Sequence, residues 1–167
     1  MKGKPTTAIP GPGEGKRGEA GHLGYLLRQA GAAHRLRLDH ALADLDVTPP
    51  QFAVLTMIAA YPGLSNADIA RLSLLTPQTA SVIVANLLRA GHVARRPHPV
   101  HGRIRQIATT AKGAALLRRC RERVMAAERR LAAGLSRAEE RTIRRWLVRV
   151  AIEARAEGEP RGRGPRG

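Results

Sequence analysis

Apolar residues recur at helical spacing along most of the chain, and capping signals mark where several helices begin. Residues Leu23 to Leu45 show this spacing and predict a first helix. Thr48, Pro49 and Gln51 then supply an N-cap, a first-turn proline and the end of a capping box, which predicts a second helix over residues 49–60. Its expected buried residues are Phe52, Leu55, Met57 or Ile58, and Ala59.

A tight turn separates the next two predicted helices. Ser65 and Asp68 form a second capping box before a short third helix. The apolar face of this helix consists of Ile69, Leu72 and Leu75. Thr76 and Pro77 open a fourth helix, and Gly91 suits the left-handed residue that ends it. Only the turn "SLLT" fits between the two helices, an arrangement typical of the helix-turn-helix motif.

Two short β-prone segments follow the fourth helix. The segments "HVARRP" (92–97) and "RIRQIATT" (103–110) flank the turn-like "HPVHG" (98–102). This pattern predicts a two-stranded hairpin with a basic tip. Because Ile104 and Ile107 fall on opposite faces of a strand, the pattern leaves the register open.

Two long amphipathic helices complete the chain. Helical spacing returns at Thr110 and is broken at Gly134, and Ser136 with Glu139 forms a third capping box. The helix that begins near Thr110 has an apolar stripe of Leu116, Leu117, Cys120, Val124, Ala127 and Leu131. The last has Ile143, Trp146, Leu147, Val150 and either Ala151 or Ile152. Such stripes must be buried, and a partner subunit would bury them.

These elements define the fold class as mainly α with a small β-hairpin wing. We expect one domain over 22–157, with a winged helix-turn-helix at about 48–109. Dimerisation helices at about 22–45 and 110–157 would flank it. 

The composition indicates two tails and a class of partner. Residues 1–21 and the basic end 158–167 are rich in Gly and Pro without an apolar period, so we expect both to be disordered. The net charge of +16 favours an anionic partner, although a solvated surface in a basic proteome would give the same count. Binding of single-stranded nucleic acid relies on exposed aromatic side chains, which are scarce here, so duplex is favoured.

The chain carries no motif of a catalytic site. It has no supported Ser/His/Asp arrangement, glycine-rich phosphate loop or carboxylate pair, so we expect no enzyme, no catalytic residue and no cofactor. His92, His98 and His101 lie close in sequence without a nearby carboxylate or thiol, so phosphate contact or exposure is favoured over a metal site. Cys120 is interpreted as a small buried hydrophobe rather than a redox sensor.

A single cysteine favours a reducing compartment. The sequence shows neither a run of about 18 apolar residues nor an apolar stretch after the N-terminal lysines. We therefore expect a cytoplasmic protein.

The stretch "TPPQFAVLTMIAAYPGLSNADIARLSLLTPQTASVIVANLLRAGHVARRPHPVHGRIRQIATTAKGAALL" resembles the MarR family of winged-helix transcription regulators. The likeness extends over roughly 22–155 and is carried by the combination of the Thr-Pro cap, "LLRAG", "HPVHGR" and "TTAKG". The chain departs from the family pattern at four positions. His98 and His101 replace two acidic residues of the wing, Thr109 replaces a leucine, and Val82 stands where a basic residue is common.

The resemblance implies a homodimer with Arg103 of the wing in the minor groove of DNA. It also implies small aromatic or phenolic effectors bound between the dimer helices and the DNA-binding lobe. Tyr25, His34, His40 and Tyr61 could line such a space, and each is equally compatible with packing or exposure. Effector-binding residues are therefore left unassigned.

The outward face of the fourth helix is small and mostly uncharged, as a helix that enters the major groove requires. We place Ala80, Ile83, Val84 and Leu87 toward the core and Gln78, Ser81, Val82, Ala85, Asn86 and Arg89 outward. The candidate DNA contacts of this helix are Thr76, Gln78, Thr79, Ser81, Val82, Asn86 and Arg89. Candidate contacts from the wing and to the backbone are Arg71, Arg95, Arg96, Arg103 and Arg105.

The sequence thus predicts a homodimeric, sequence-specific regulator of transcription that binds an imperfect palindrome in double-stranded DNA. A repressor released by a small molecule or another signal is the favoured form. The alternative is an architectural, nucleoid-associated protein that coats DNA with little sequence preference. A third hypothesis is a dimerisation or scaffold module whose winged domain no longer recognises DNA.

Overall fold

The computed structural model describes residues 9–97 and 105–158, with Arg105 and residues 154–158 described by backbone alone. Six α-helices and one antiparallel hairpin make up this part of the chain. They are α1 (Leu23–Leu42), α2 (Pro49–Ala60), α3 (Asn66–Leu72), α4 (Pro77–Arg89), β1 (Val93–Pro97), β2 (Arg105–Thr109), α5 (Ala111–Leu131) and α6 (Arg137–Gly158). The predicted fold class, mainly α with a hairpin, is confirmed.

The first helix is shorter than predicted. α1 ends at Leu42, and a 3-10 turn continues over Ala43–Leu45. Asp46 then adopts a left-handed conformation, with φ of 53°, and turns the chain toward α2. The apolar spacing cannot distinguish these two helix types over a single turn, because both place residues three apart on the same side.

A short turn precedes α1 in the segment predicted to be disordered. Residues Gly15–Arg17 form a 3-10 turn. Arg17 Nε donates to Gln29 Oε1 (3.2 Å), and Gln29 Nε2 donates to the Arg17 carbonyl (3.1 Å). The turn is thus held to α1 by polar contacts that an apolar-period argument does not anticipate. Disorder of residues 1–21 as a whole stays a prediction.

The predicted capping boxes set the starts of α2 and α3. The Gln51 amide donates to Thr48 Oγ1 (3.4 Å), and the Thr48 amide donates to Gln51 Oε1 (2.9 Å). The Asp68 amide donates to Ser65 Oγ (3.1 Å), and the Ser65 amide donates to Asp68 Oδ2 (3.2 Å). Each box satisfies backbone N–H groups that the first helical turn leaves without a partner.

One apolar cluster joins α2, α3, α4, the hairpin and the first half of α5. Its buried members are Val54, Leu55, Ile58, Ile69, Ala70, Ala80, Ile83, Val84, Leu87, Val93 and Leu117. The expectation for α2 was wrong at Ala59, which is exposed, and it omitted Val54, which is fully buried. Almost every residue of α2 from Phe52 onward is apolar, so the pattern has no polar side with which to locate the buried face.

The hairpin register, left open by the pattern, pairs Val93 with Thr109 and Pro97 with Arg105. Val93 is buried, and Ile107 packs against the apolar cluster. The root of the hairpin is therefore part of the core. The turn at 98–102 and Ile104 lie outside the described residues.

A second small cluster lies where α5 meets the end of α1. Leu42, Val47 and Cys120 form its buried part. Arg123 Nη2 lies 2.6 Å from Asp44 Oδ2, which adds an exposed ion pair between the same segments. Leu131, at the last position of α5, is exposed in the single chain, so its expected burial against a partner subunit stays a prediction.

The chain divides into two compact units after Ala127. The described part of the second unit consists of the end of α5, a turn and α6. The turn contains Gly134 in a left-handed conformation with φ of 86°, and the third capping box is present, with the Ser136 amide donating to Glu139 Oε2 (2.8 Å). No α6 side chain up to Glu153 is buried. The single-domain boundary over 22–157 stays a prediction.

Candidate nucleic-acid interface

The start of α4 is fixed by two threonines. Thr76 Oγ1 accepts a hydrogen bond from the Thr79 amide (3.1 Å), and the two hydroxyl oxygens lie 2.8 Å apart. Pro77 occupies the first turn, where its missing N–H is not needed. Both threonines are exposed, and their hydroxyls contact each other in the cap. 

The two faces of α4 match the sequence prediction except at one residue. The buried face consists of Ala80, Ile83, Val84 and Leu87. The exposed face consists of Gln78, Thr79, Ser81, Val82, Ala85 and Arg89. Asn86 was expected to point outward but is half-buried, because it lies one turn from Ile83 at the edge of the buried face. Its Oδ1 accepts a hydrogen bond from Arg89 Nη1 (3.2 Å).

A strained turn sets the angle between α3 and α4. The Leu75 amide donates to the Ala70 carbonyl (2.9 Å) and the Leu74 amide to the Arg71 carbonyl (3.3 Å), which is the Schellman pattern of a helix end. Leu74 occupies its left-handed position, with φ of 56°, where glycine is usual. Its side chain is 88% exposed and gains little from burial.

Two polar contacts organise the outer surface of this helix pair. Asn66 Nδ2, at the start of α3, donates to Ser81 Oγ on α4 over 3.3 Å. Arg71 forms an ion pair with Asp68 in the same helix. The hydrogen bond from the Ser65 hydroxyl, then its backbone N–H and then Arg71 lower the pKa of Asp68. The Asp68 carboxylate thus supports the α3 cap and pairs with a candidate phosphate-binding arginine.

The other end of α4 is held by the beginning of α5. Thr110 Oγ1 donates to the Gly91 carbonyl (2.8 Å), and Lys112 Nζ donates to the Ala90 carbonyl (2.9 Å). A Cβ added to Gly113 would lie 1.9 Å from the His92 carbonyl oxygen. Gly113 therefore lets the two segments approach closely. Together these contacts fix where the C-terminus of α4 lies.

The hairpin carries two of the predicted basic residues into solvent. Arg95 and Arg96 are exposed on β1, and they pair in register with Ile107 and Gln106. Arg105 is described by its backbone alone. The remaining wing residues named from the sequence, Arg103, His98 and His101, lie outside the described residues.

Cys120 and His92 were considered from the sequence as candidates for redox chemistry and metal binding. Burial raises the pKa of the Cys120 thiol, which favours the inert protonated form. Burial and then the nearby charge of Lys112 lower the pKa of His92. Within residues 9–97 and 105–158, no three potential ligands are grouped as a metal site.

Three residues of this surface escaped sequence reasoning: Asn66, Thr110 and Lys112. Asn66 acts on another helix, and a helical period carries no information about which side chains meet across a turn. Thr110 and Lys112 belong to "TTAKG", a segment that carried the family resemblance but suggested no contact with α4. Thr110 and Gly113 lie beside the start of a helix. Their residue types could have suggested a helix cap and a close approach between two backbone segments.

A short helix, a tight turn, a second helix with a small polar outer face and an adjoining basic hairpin define a winged helix-turn-helix protein. Comparison with known proteins agrees with this class. The MarR family model matches residues 45–104. The HTH-type transcriptional repressor Rv2887 of Mycobacterium tuberculosis is 38% identical over 131 residues, which are 78% of this chain and 94% of the relative.

Solved structures extend the likeness to three dimensions. The Rv2887 protein in complex with DNA has a TM-score of 0.62 at 36% identity, covering 77% of this chain and 97% of the other. The same protein with salicylic acid has a TM-score of 0.66 at 37% identity, covering 79% and 98%. The chain belongs to the MarR family of transcriptional regulators, as the sequence resemblance predicted. In the described part of the chain, no helix is both long and apolar enough to cross a bilayer.

Proposed function

We propose that this protein is a homodimeric repressor that inserts α4 of each subunit into the major groove of an imperfect palindrome. The observation that carries the proposal is the outer face of α4, where Gln78, Ser81 and Val82 are exposed above a buried apolar face. Glutamine can pair with adenine through two hydrogen bonds, serine can donate or accept, and an apolar group can contact the methyl of thymine. This face therefore suits a half-site that contains A·T pairs.

The surrounding arginines supply affinity rather than sequence preference. Arg71, Arg89, Arg95 and Arg96 are exposed around α4 and on the hairpin. We assign them, with Arg103 and Arg105 of the wing, to phosphate or minor-groove contacts. A dimer that neutralises about eight phosphates should lose affinity with a slope near −7 in log affinity against log salt concentration.

Dimerisation is supported by apolar faces that stay exposed in the single chain. Leu23 and Leu27 are exposed on α1, and Ile143 and Leu147 are exposed on α6. A second copy would remove these faces from water. The two copies of α4 would then bind half-sites about one helical turn, or about 10 bp, apart.

A small-molecule signal is the favoured means of release. The relative Rv2887 has been crystallised with DNA and, separately, with salicylic acid and with p-aminosalicylic acid. We therefore propose a small aromatic carboxylate as the first class of effector to test on this chain. Salicylate added to the protein–DNA complex should lower the affinity for the operator, and unchanged affinity at saturating salicylate would reject this class.

Selection of DNA sequences by the purified full chain, repeated with two variants, tests the base contacts. Gln78→Ala should remove the preference for adenine at one position of each half-site. Arg89→Ala is the matched control on the same helix, and it should weaken binding to all sequences alike. An unchanged base preference at every position in Gln78→Ala would remove the assignment of Gln78.

An architectural, DNA-coating protein is the second candidate, and the net charge of +16 favours it. Competition separates the two functions, because a regulator should prefer its own site over random duplex by about 10³-fold or more. Equal binding to operator and random fragments would establish the coating function. In either case we propose action on chromosomal DNA in the cytoplasm and no enzymatic activity.

A further inference from the structure

One hydrogen bond crosses the outer surface of the helix-turn-helix. Asn66 is the first residue of α3, and its Nδ2 donates to Ser81 Oγ in the second turn of α4, over 3.3 Å. Both side chains are exposed, on the surface that the proposed function brings against DNA. The contact therefore joins a base-reading candidate to a residue that sequence analysis did not select.

A serine hydroxyl offers one donor hydrogen and two acceptor lone pairs. The Ser81 oxygen accepts a hydrogen bond from the Asn66 amide. This contact does not use the hydroxyl hydrogen of Ser81, which can donate to another group. A helical serine often donates this hydrogen to the carbonyl four residues earlier, which here belongs to Pro77. Across the described ranges, the structure contains no hydrogen bond from Ser81 Oγ to Pro77 or to any other acceptor. The hydroxyl hydrogen is available to an outside partner.

The other hydroxyls on this helix are engaged differently. Thr76 and Thr79 face each other at 2.8 Å within the N-cap, so one hydroxyl donates to the other. Thr76 Oγ1 also accepts from a backbone N–H. Ser81 is thus the exposed hydroxyl of α4 that accepts a hydrogen bond from a side chain of α3.

We propose that Asn66 is a positioning residue: its amide occupies one lone pair of the Ser81 oxygen and so biases the hydroxyl toward donating to the base edge. This inference rests on the proposed insertion of α4 into the major groove. A donor selects a base with an acceptor in that groove, which guanine, adenine N7 and thymine O4 provide. Cytosine offers its N4 amino group, a donor, so cytosine is disfavoured at the position that faces Ser81.

A substitution that reverses the direction of the hydrogen bond between residue 66 and Ser81 tests the proposal. In Asn66→Asp the carboxylate can only accept, so the Ser81 hydroxyl turns to donate to it and presents lone pairs to the DNA. Base preferences are measured by selection from a random duplex library with the full chain. Wild type should deplete cytosine at one position of each half-site. Asn66→Asp should enrich cytosine there by about fivefold, the effect of one hydrogen bond.

The added negative charge of Asn66→Asp weakens binding to every sequence and does not alter the normalised base profile. Aspartate is also favoured in the first turn of a helix, so the variant should fold. Asn66→Ala should flatten the preference at the same position, because the hydroxyl is then free to donate or accept.

The double variant Asn66→Asp with Ser81→Ala is the matched control, and its profile should equal that of Ser81→Ala alone. A cytosine enrichment that persists without Ser81 would overturn the proposal. So would an Asn66→Asp profile identical to wild type. A wild-type protein without base preference at any position would instead overturn the proposed function, so the two failures are distinguishable.

Discussion

Helices α4 and α6 are both amphipathic, but only one of them has its apolar face covered by its own chain. α4 buries four apolar side chains beneath a small polar outer face. α6 is longer, at 22 residues, and no side chain described in it is buried. Ile143 and Leu147, which lie on its apolar face, are both exposed. α4 thus packs on a core of its own unit, and we propose that a second copy of the chain covers the apolar face of α6.

The largest effect is expected from a charge placed on the apolar face of α6. Leu147→Asp places a charge on the apolar face and should dissociate the dimer, because an unpaired charge cannot be buried at an interface. Specific binding to a two-half-site operator should fall by more than about 100-fold, since a single subunit retains one half-site. Analytical ultracentrifugation and operator titration measure the two effects.

Arg145→Ala is the matched control for this substitution. It changes the net charge by the same single unit on the opposite side of α6. The control should remain dimeric. If Leu147→Asp also remained dimeric, α6 would not be the interface.

The next effect concerns the core beneath α4. Ile69 is fully buried, and Ile69→Ala should lower the free energy of unfolding by about 3 kcal/mol through lost burial and a cavity. Urea denaturation of both proteins at the same concentration measures the loss. Leu74→Ala, at an exposed position of the same motif, should change stability by less than about 0.5 kcal/mol. Equal losses in both variants would contradict the assigned core.

A smaller effect is expected where α5 fixes the end of α4. Gly113→Ala should cost about 2 kcal/mol, because its Cβ would lie 1.9 Å from the His92 carbonyl oxygen and the backbone must shift. Gly31→Ala, in α1 with nothing within 4 Å of the new Cβ, should instead gain up to about 1 kcal/mol from helix propensity. Thermal unfolding of both variants checks the opposite signs, and stabilisation by Gly113→Ala would refute the close approach.

The smallest effects are expected at the N-terminal caps of α3 and α6, where the pKa of one carboxyl group in each cap is lowered. Hydrogen bonds from Ser65 lower the pKa of Asp68 in α3, and hydrogen bonds from Ser136 lower the pKa of Glu139 in α6. A lowered folded-state pKa gives stability that is present above the unfolded pKa, about 4, and is lost as pH falls through the folded value. 

Carboxyl titration followed by NMR should show both values below those of unfolded peptides. Ser65→Ala and Ser136→Ala should each return the neighbouring carboxyl toward its ordinary pKa. An unchanged pKa in either variant would reject the corresponding cap.

Local signals predicted the helix starts well, because a cap involves residues within one turn of each other. Thr48 with Gln51, Ser65 with Asp68 and Ser136 with Glu139 are paired as the spacing indicated. The inner face of α4 was equally readable, since polar and apolar residues alternate there at a clear helical period.

The pattern was less informative wherever polarity was uniform or the partner was distant. α2 is apolar on nearly all sides, so its exposed Ala59 could not be recognised. The hairpin register depended on Val93 and Ile107 packing against the core, which alternation did not reveal. The hydrogen bond that Ser81 accepts comes from Asn66, fifteen residues earlier and on a different helix.

The sequence by itself determined the helices, their caps, the family and the outer face of α4, because these depend on residue types at short spacing. The tertiary structure alone decided which side chains meet between elements: Asn66 with Ser81, Lys112 with the end of α4, and Gly113 with the His92 carbonyl. Such contacts join residues that are separated along the chain, and their distances depend on how the helices pack. No helical period encodes that packing.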